Sequence, residues 1–300
     1  MKPGQKIDLI RRWIHQVATY PPTMRISHKT SEGDAYAHEI PQFGLGVFLM
    51  SEEGECKNSI LTALDCGYTH IDTARAYNNE HEVGEALKSA GVDRDSVFIT
   101  TKLRRTHATG YDEVIEHCQK SLELLDTDYI DLYLVHAPPE DPEHRIPVWK
   151  GMEYCLEQGW VKSIGVSNYG VAHLEAMKEY ATYLPSVNQV EFNPWLQRPH
   201  LVAATEDVGA KIMAYSPLAR GHKVDDPELG AIAEKLGCTP AQVAIKFCYD
   251  SGCITIPKSS NPDRIRENFA SLEIDISSEM DAIKALECGY ISGWDPTTEP

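Results

Sequence analysis

Basic residues are scarce in this 300-residue chain: 28 lysines and arginines face 45 aspartates and glutamates, a formal net charge of -17. That balance argues against nucleic acid or an anionic membrane as a main partner, because the overall field repels both. Any bound anion therefore needs a local basic pocket. The eight cysteines run from Cys56 to Cys288 with no CxxC pair and no dense cluster. Such usage fits a reducing compartment, so a cytoplasmic protein with mostly buried, inert thiols is expected. Zinc-type Cys/His spacing and HExxH are both missing, which removes support for a metal site. No run of eighteen apolar residues occurs, so no membrane span is expected. The N-terminus also lacks the apolar core of a secretory signal.

What is present is a rhythm. After residue 43, short apolar or β-branched runs alternate with polar turns and helix-period segments. The runs are GLGVFLM (44–50), THIDTA (69–74), VFITTK (97–102), YIDLYLVHA (129–137), SIGVSN (163–168), VNQVEF (187–192), KIMAYSP (211–217) and CITIPKS (253–259). Helical patterns such as DEVIEHCQKSLELL (112–125) and VAHLEAMKEYATYL (171–184) separate them. Eight buried-type strands alternating with helices predict a parallel sheet, and eight units fit a closed (β/α)₈ TIM barrel better than an open doubly wound sheet. No linker interrupts the pattern, so residues 26–300 read as one barrel domain and residues 1–25 as an N-terminal extension. Within that extension Ile10, Trp13, Ile14 and Val17 share a helical face, which predicts a helix over 7–19 resting on the domain rather than a mitochondrial presequence. The polar segment 25–40 predicts a β-hairpin, turning near residues 32–34, that can plug one barrel mouth.

Four polar residues break the apolar pattern with the period of the barrel. Asp72, Lys102 and His136 close the second, third and fourth runs, and Tyr77 follows the second in a polar turn. One βα unit separates successive members, so all reach the same end of adjacent strands, the rim that carries chemistry in such barrels. Taken singly they read as a helix cap, a turn tyrosine, a surface lysine and a core histidine. Together they form an acid-assisted carbonyl site. Asp72 holds Lys102, the ammonium favours the phenolate and lowers the Tyr77 pKa, and His136 shares the carbonyl oxygen with the phenol.

Carbonyl reduction needs a hydride source, yet the GxGxxG fingerprint is absent. The last strand instead leads into IPKSSNPDRIRENF (256–269), where Asn261 and Pro262 predict a helix start. Lys258, Ser259, Ser260 and Arg264 crowd that N-terminus, whose free N–H groups and dipole favour an anion. In so acidic a chain, the cluster predicts a phosphate site.

With these motifs in place the sequence resembles the aldo-keto reductases from about residue 26 to GWDP at 293–296. Asp72, Tyr77, Lys102 and His136 match that family's catalytic tetrad within GYTHIDTARAYNNEHEVGEAL, VFITTKL and DYIDLYLVHAP. The resemblance implies that Ser167, Asn168 and Gln189 hold the nicotinamide carboxamide and that Tyr215 stacks on its ring, with Ser216 and Leu218 beside it. It also implies that Lys258, Ser259 and Arg264 grip the adenosine 2′-phosphate, with Ser260 a further cofactor candidate beside them, while Glu267 and Asn268 meet the adenine. The expected activity is NADPH-dependent reduction of aldehydes or ketones by a monomer, with Tyr77 as the proton donor and a small molecule as the only partner.

Three positions where this family often carries tryptophan hold Phe48, Arg104 and Ala137, and little chain follows Trp294. These departures bear on the substrate and leave the tetrad whole. Phe48, His136 and Arg104 are the expected substrate contacts. Arg104 reads first as a solvated loop arginine; turned into the cleft, it would bind a substrate carboxylate. Two other functions share these residues: a cofactor-holding regulatory subunit with little turnover, and a Schiff-base barrel using Lys102 as an amine. A neighbouring Asp72, which keeps Lys102 charged, argues against the second.

Overall fold

The structure, a computed structural model, describes residues 21–299. The expected helix over 7–19, and the extension apart from residues 21–25, lie outside the described residues. Eight strands pair in chain order in one parallel sheet: β3 (Leu45–Gly46), β4 (His70–Asp72), β5 (Phe98–Leu103), β6 (Leu132–Val135), β7 (Ile164–Ser167), β8 (Val187–Glu191), β9 (Lys211–Tyr215) and β10 (Ile254–Thr255). Parallel bridges from Phe43 to Thr255 and from Gly46 to Lys258 join the last strand to the first. The Thr255 N–H donates to Gln42 O at 2.8 Å and the Gly44 N–H to Thr255 O at 3.0 Å. The sheet is thereby closed as the expected barrel.

The helices on the barrel's outside include α1 (Glu55–Cys66), α2 (Glu80–Ala90), α3 (Tyr111–Leu125), α4 (Arg145–Glu157), α5 (Val171–Tyr180) and α6 (Pro199–Asp207). Two helices, α7 (Pro227–Leu236) and α8 (Pro240–Asp250), precede β10, and α9 (Pro262–Ala270) and α10 (Met280–Lys284) follow it. α5 is shorter than its sequence pattern. Its continuation is held instead by α4, where Glu153 Oε1 accepts the N–H groups of Thr182 (2.5 Å) and Tyr183 (3.1 Å).

The hairpin pairs β1 (Thr23–Thr30) with β2 (Gly33–Pro41), antiparallel. Its turn is Ser31–Glu32, slightly earlier than predicted, because Gly33 adopts φ 119° and pairs with Thr30. Ile26 and Ile40 pack with Phe98, Leu132, Leu134, Val187, Met213, Ile254 and Ile256, the side chains filling the barrel. His28 sits below them, with Nδ1 2.8 Å from Leu184 O and Nε2 3.1 Å from Ser163 Oγ, both at the N-terminal ends of strands. The hairpin therefore seals the bottom mouth. A second, larger apolar layer lies between sheet and helices. With one end sealed and the walls packed, the C-terminal rim is left for chemistry.

Candidate active site

Strand register explains why four residues far apart in sequence meet. Asp72 pairs with Thr100, while Lys102, two positions higher on β5, pairs with Leu134; His136 stands two positions above Leu134. Each step keeps the side chain on one face and climbs with the tilt of barrel strands. Lys102 is fully buried, and its ammonium donates to Asp72 Oδ1 at 2.6 Å and to Thr73 O at 2.8 Å. It also lies 3.5 Å from the Tyr77 hydroxyl. The other Asp72 oxygen accepts from Gln189 Nε2 at 2.7 Å. Asp72 thus caps no helix: both of its oxygens face the site.

The Tyr77 ring meets His136 edge-on at 5.5 Å and Phe48 at 5.0 Å between centroids. Burial pushes the His136 imidazole down to about 3, with the Lys102 charge adding to it, so the ring is neutral at physiological pH. Burial raises the Asp72 carboxyl and lowers the Lys102 ammonium, and each charge opposes its partner's shift. At 2.6 Å with a second acceptor on the ammonium, the charged pair is the arrangement the geometry supports.

One expectation is reversed. Tyr77 stands well above the ordinary phenol range, raised first by burial and then by the Asp72 carboxylate; Arg220 pulls the other way. Loss of solvent dominates, and the Lys102 ammonium, paired with Asp72, does not figure among the charges that oppose it. The consequence suits a proton donor, since the phenol stays protonated until a stronger base meets it.

Beside the tetrad runs a chain of amides and hydroxyls. Asn168 Nδ2 donates to His136 O (2.9 Å) and Ser167 Oγ (3.1 Å), and its Oδ1 accepts from Tyr215 OH at 2.8 Å. Ser167 Oγ donates to Gln189 O at 2.8 Å. Asn168 holds φ 61° and Ser216 φ 49°, left-handed conformations that cluster at functional sites. The structure thus brings Ser167, Asn168, Gln189 and Tyr215 against the tetrad, with Ser216 and Leu218 on the loop that follows β9.

The basic pocket is built differently from its expectation. Asn261 caps α9, its Oδ1 accepting the N–H groups of Asp263 (2.9 Å) and Arg264 (3.1 Å), and its own N–H goes to Ser259 Oγ at 3.2 Å. These first-turn donors are spent inside the protein, so side chains rather than free helix N–H groups must hold an anion here. Lys258 and Arg264 are exposed and, among the described residues, neither side chain has a hydrogen-bond or ion-pair partner. Ser260 is half-buried beside them. Of the expected adenine contacts, Asn268 is buried and Glu267 Oε1 accepts from Thr239 Oγ1 at 2.7 Å.

At the rim, Phe48 is 40% exposed and overlooks Tyr77. Arg104 is exposed and caps the short turn Arg105–His107, without a bond to the tetrad. Residues the sequence reading passed over also matter. Asn79 is buried, accepts from Thr73 Oγ1 at 2.7 Å and donates to Val47 O and Met50 O, bracing the Phe48 loop against β4. Arg105 and Arg198 strap the C-terminal tail over the rim through Glu299 (2.5 Å) and Asp295 (3.1 Å). Arg220 joins the mouth from the β9 loop. The AsnAsnGlu start of α2 was a readable signal for the first; the arginines carried none.

A closed barrel with an ionised pair, a phenol and a neutral imidazole at its C-terminal rim is the framework of a carbonyl-handling oxidoreductase. The Aldo/keto reductase family model matches residues 49–287, which include the tetrad and the basic pocket, and the chain belongs to that family. It is 41% identical over 262 residues to the methylglyoxal reductase DkgA of Yersinia pestis, covering 86% of this chain and 92% of that protein. Its identity to an aldo-keto reductase of Mycolicibacterium smegmatis is 39% over 262 residues, covering 87% and 94%. Among solved structures, an aldo/keto reductase from Brucella melitensis superposes with TM-score 0.80 at 36% identity, covering 89% of this chain and 99% of that one. No helix of the described residues is long and apolar enough to cross a membrane.

Proposed function

We propose that this protein reduces small aldehydes or ketones to alcohols with NADPH, and that 2-oxoaldehydes such as methylglyoxal are within its range, as the name of its Yersinia pestis relative suggests. The observation carrying the reading is the Lys102–Asp72 pair at 2.6 Å with its ammonium 3.5 Å from the Tyr77 hydroxyl.

The donor set suits a phosphorylated nicotinamide cofactor: two cations without a partner among the described residues flank a capped helix start, and an amide cluster borders the tetrad. Lys258, Ser259, Ser260 and Arg264 would hold the 2′-phosphate and Glu267 and Asn268 the adenine. Ser167, Asn168 and Gln189 would hold the carboxamide, and Tyr215, Ser216 and Leu218 would line the rest. When bound, the cofactor supplies hydride to the carbonyl carbon. His136, being neutral, donates one N–H to the carbonyl oxygen and orients it toward Tyr77. The Tyr77 hydroxyl gives that oxygen its proton as negative charge builds there, because an alkoxide is a far stronger base than a phenolate. Lys102 then stabilises the phenolate left behind, and Asp72 keeps the ammonium in place. Phe48 covers the mouth and sheds water. The protein acts as a cytoplasmic monomer under this reading.

The test follows NADPH and NADH oxidation with a panel of aldehydes, ketones, sugars, keto acids and methylglyoxal. Turnover with NADPH on at least one class is expected. Tight NADPH binding without turnover on any would favour the cofactor-holding regulatory role instead.

A further inference from the structure

Four arginines stand at the rim; two are tied down, Arg104 is exposed on the Arg105–His107 turn, and only Arg220 is both unpaired and over the Phe48 ring. Arg105 is tied to Pro138 O, to Glu299 and to the Trp294 ring. Arg198 is tied to Glu191 O, Thr297 and Asp295. Arg220 is exposed and has no hydrogen-bond or ion-pair partner among the described residues.

Its position is held rather than incidental. Ala219 and Arg220 take φ 45° and 55°, left-handed values that cost energy in residues with side chains. The turn is fixed by hydrogen bonds from Ala219 N to Ser216 O, Gly221 N to Leu218 O and His222 N to Ala219 O. The guanidinium lies against Gly293, where any Cβ would stand 2.5 Å from Cζ. It also lies 6.0 Å over the Phe48 ring, which in turn packs 5.0 Å from Tyr77. Phe48 thus contacts both this guanidinium and the ring of the tyrosine proposed to protonate the carbonyl. The Arg220 charge reaches Tyr77 and Tyr215, lowering both phenols against the effect of burial.

We propose that Arg220 is a specificity residue that binds the carboxylate of short aldehyde or keto acids whose carbonyl lies at Tyr77. The inference rests on the reductase reading above. A guanidinium accepts a carboxylate through two parallel N–H bonds, which a neutral substrate cannot use. In a chain of net charge -17 an acid is repelled at a distance, so preference for one requires a local cation.

The experiment measures kcat/KM with NADPH for an ω-oxo carboxylic acid and for the straight-chain aldehyde of equal length. Wild type, Arg220→Gln and Arg220→Lys are compared, with NADPH affinity measured by fluorescence titration. Wild type should favour the acid, and Arg220→Gln should cut the acid-to-neutral ratio roughly tenfold, mainly through KM, at the low end for bonds to charged groups because the site is exposed. Arg220→Lys should keep part of the preference, and added salt should narrow it in wild type. An unchanged ratio in Arg220→Gln overturns the proposal. So does equal loss on both substrates with weakened NADPH binding, which would assign the guanidinium to the cofactor. If Arg220→Gln does not fold, absence of an acid preference or of its salt response in wild type overturns it as well. Failure of wild type to reduce either substrate while it turns over another member of the panel overturns this inference alone, whereas failure on the whole panel removes the reductase reading and this inference with it.

Discussion

The tetrad and the basic pocket are both charged, but they are finished to different degrees. At the tetrad the Lys102 ammonium and both Asp72 oxygens have partners within the protein, and Lys102 is fully out of water. At the pocket around α9, the Lys258 and Arg264 side chains stand in solvent with no partner among the described residues. A buried pair is costly unless its geometry is fixed in advance, whereas exposed cations cost little to leave waiting. The first arrangement suits groups that must act on charge as it develops in a reaction. The second suits groups that hold an anion arriving with its ligand. If that contrast is correct, changes at the tetrad act on the rate of the chemical step and changes at the pocket act on cofactor binding.

The sharpest way to break the comparison is Tyr77→Phe. Loss of a general acid costs on the order of 10²–10⁴-fold in turnover, while the ring's packing on His136 and Phe48 is kept. Steady-state rates and NADPH titration should therefore part company, with kcat collapsing and affinity nearly unchanged. Wild-type turnover in the variant would remove Tyr77 from its role.

Next in size is the double change Lys258→Ala with Arg264→Ala. Each contributes charge-assisted bonds in solvent, so together they should account for a roughly tenfold or larger preference for NADPH over NADH, a preference that fades with added salt. The saturated turnover rate should barely move. A double variant that discriminates as well as wild type would place 2′-phosphate recognition elsewhere.

The two regions also differ in how well the sequence announced them. The spacing of Asp72, Lys102 and His136 repeats the βα unit, so the barrel and the convergence of the tetrad were legible from residues alone. The direction of the Tyr77 shift was not, because it depends on the solvent excluded around the hydroxyl, and a list of neighbours in sequence carries no burial. At α9 the Asn261–Pro262 start was readable, but not that Asn261 would occupy the first-turn N–H groups itself. Arg220 escaped notice altogether. Its relevance comes from a left-handed turn and from Gly293, more than seventy residues away.

A pH titration sharpens the contrast further, because buried groups respond to protons and exposed cations to salt. Burial holds His28 at about 4 and His70 at about 3, both below the ordinary imidazole value of 6.5. The unfolded chain therefore binds more protons than the folded one between those values. The stability these neutral rings contribute is fully present above about 6.5 and is lost as pH falls toward 4. Each adds up to about 1.4 kcal/mol per pH unit to the slope of the unfolding free energy in that window. With His136 also held at about 3, urea unfolding of wild type should show a slope approaching three protons in that window, and His28→Gln should flatten it by about one. A wild-type profile level from pH 7 to pH 4.5 would contradict the burial argument.

The smallest effect expected is at Arg104. Like Lys258 it is exposed, but it caps the Arg105–His107 turn, and its visible electrostatic partner is His107, which stacks on His117 at 3.9 Å. The His107 imidazole is lowered first by burial, then by His117, and then by the Arg104 charge. Arg104→Ala should thus move His107 upward, readable by NMR titration of its ring protons. The acid-to-neutral substrate ratio should change by less than about fivefold, the ceiling for an exposed charge that makes no bidentate bond. This variant and Arg220→Gln form a matched test, since both remove one exposed guanidinium from the rim and only one faces the Phe48–Tyr77 mouth. A loss of acid preference at Arg104 as large as that at Arg220 would mean that any rim cation suffices, and that general charge rather than a placed guanidinium selects the substrate.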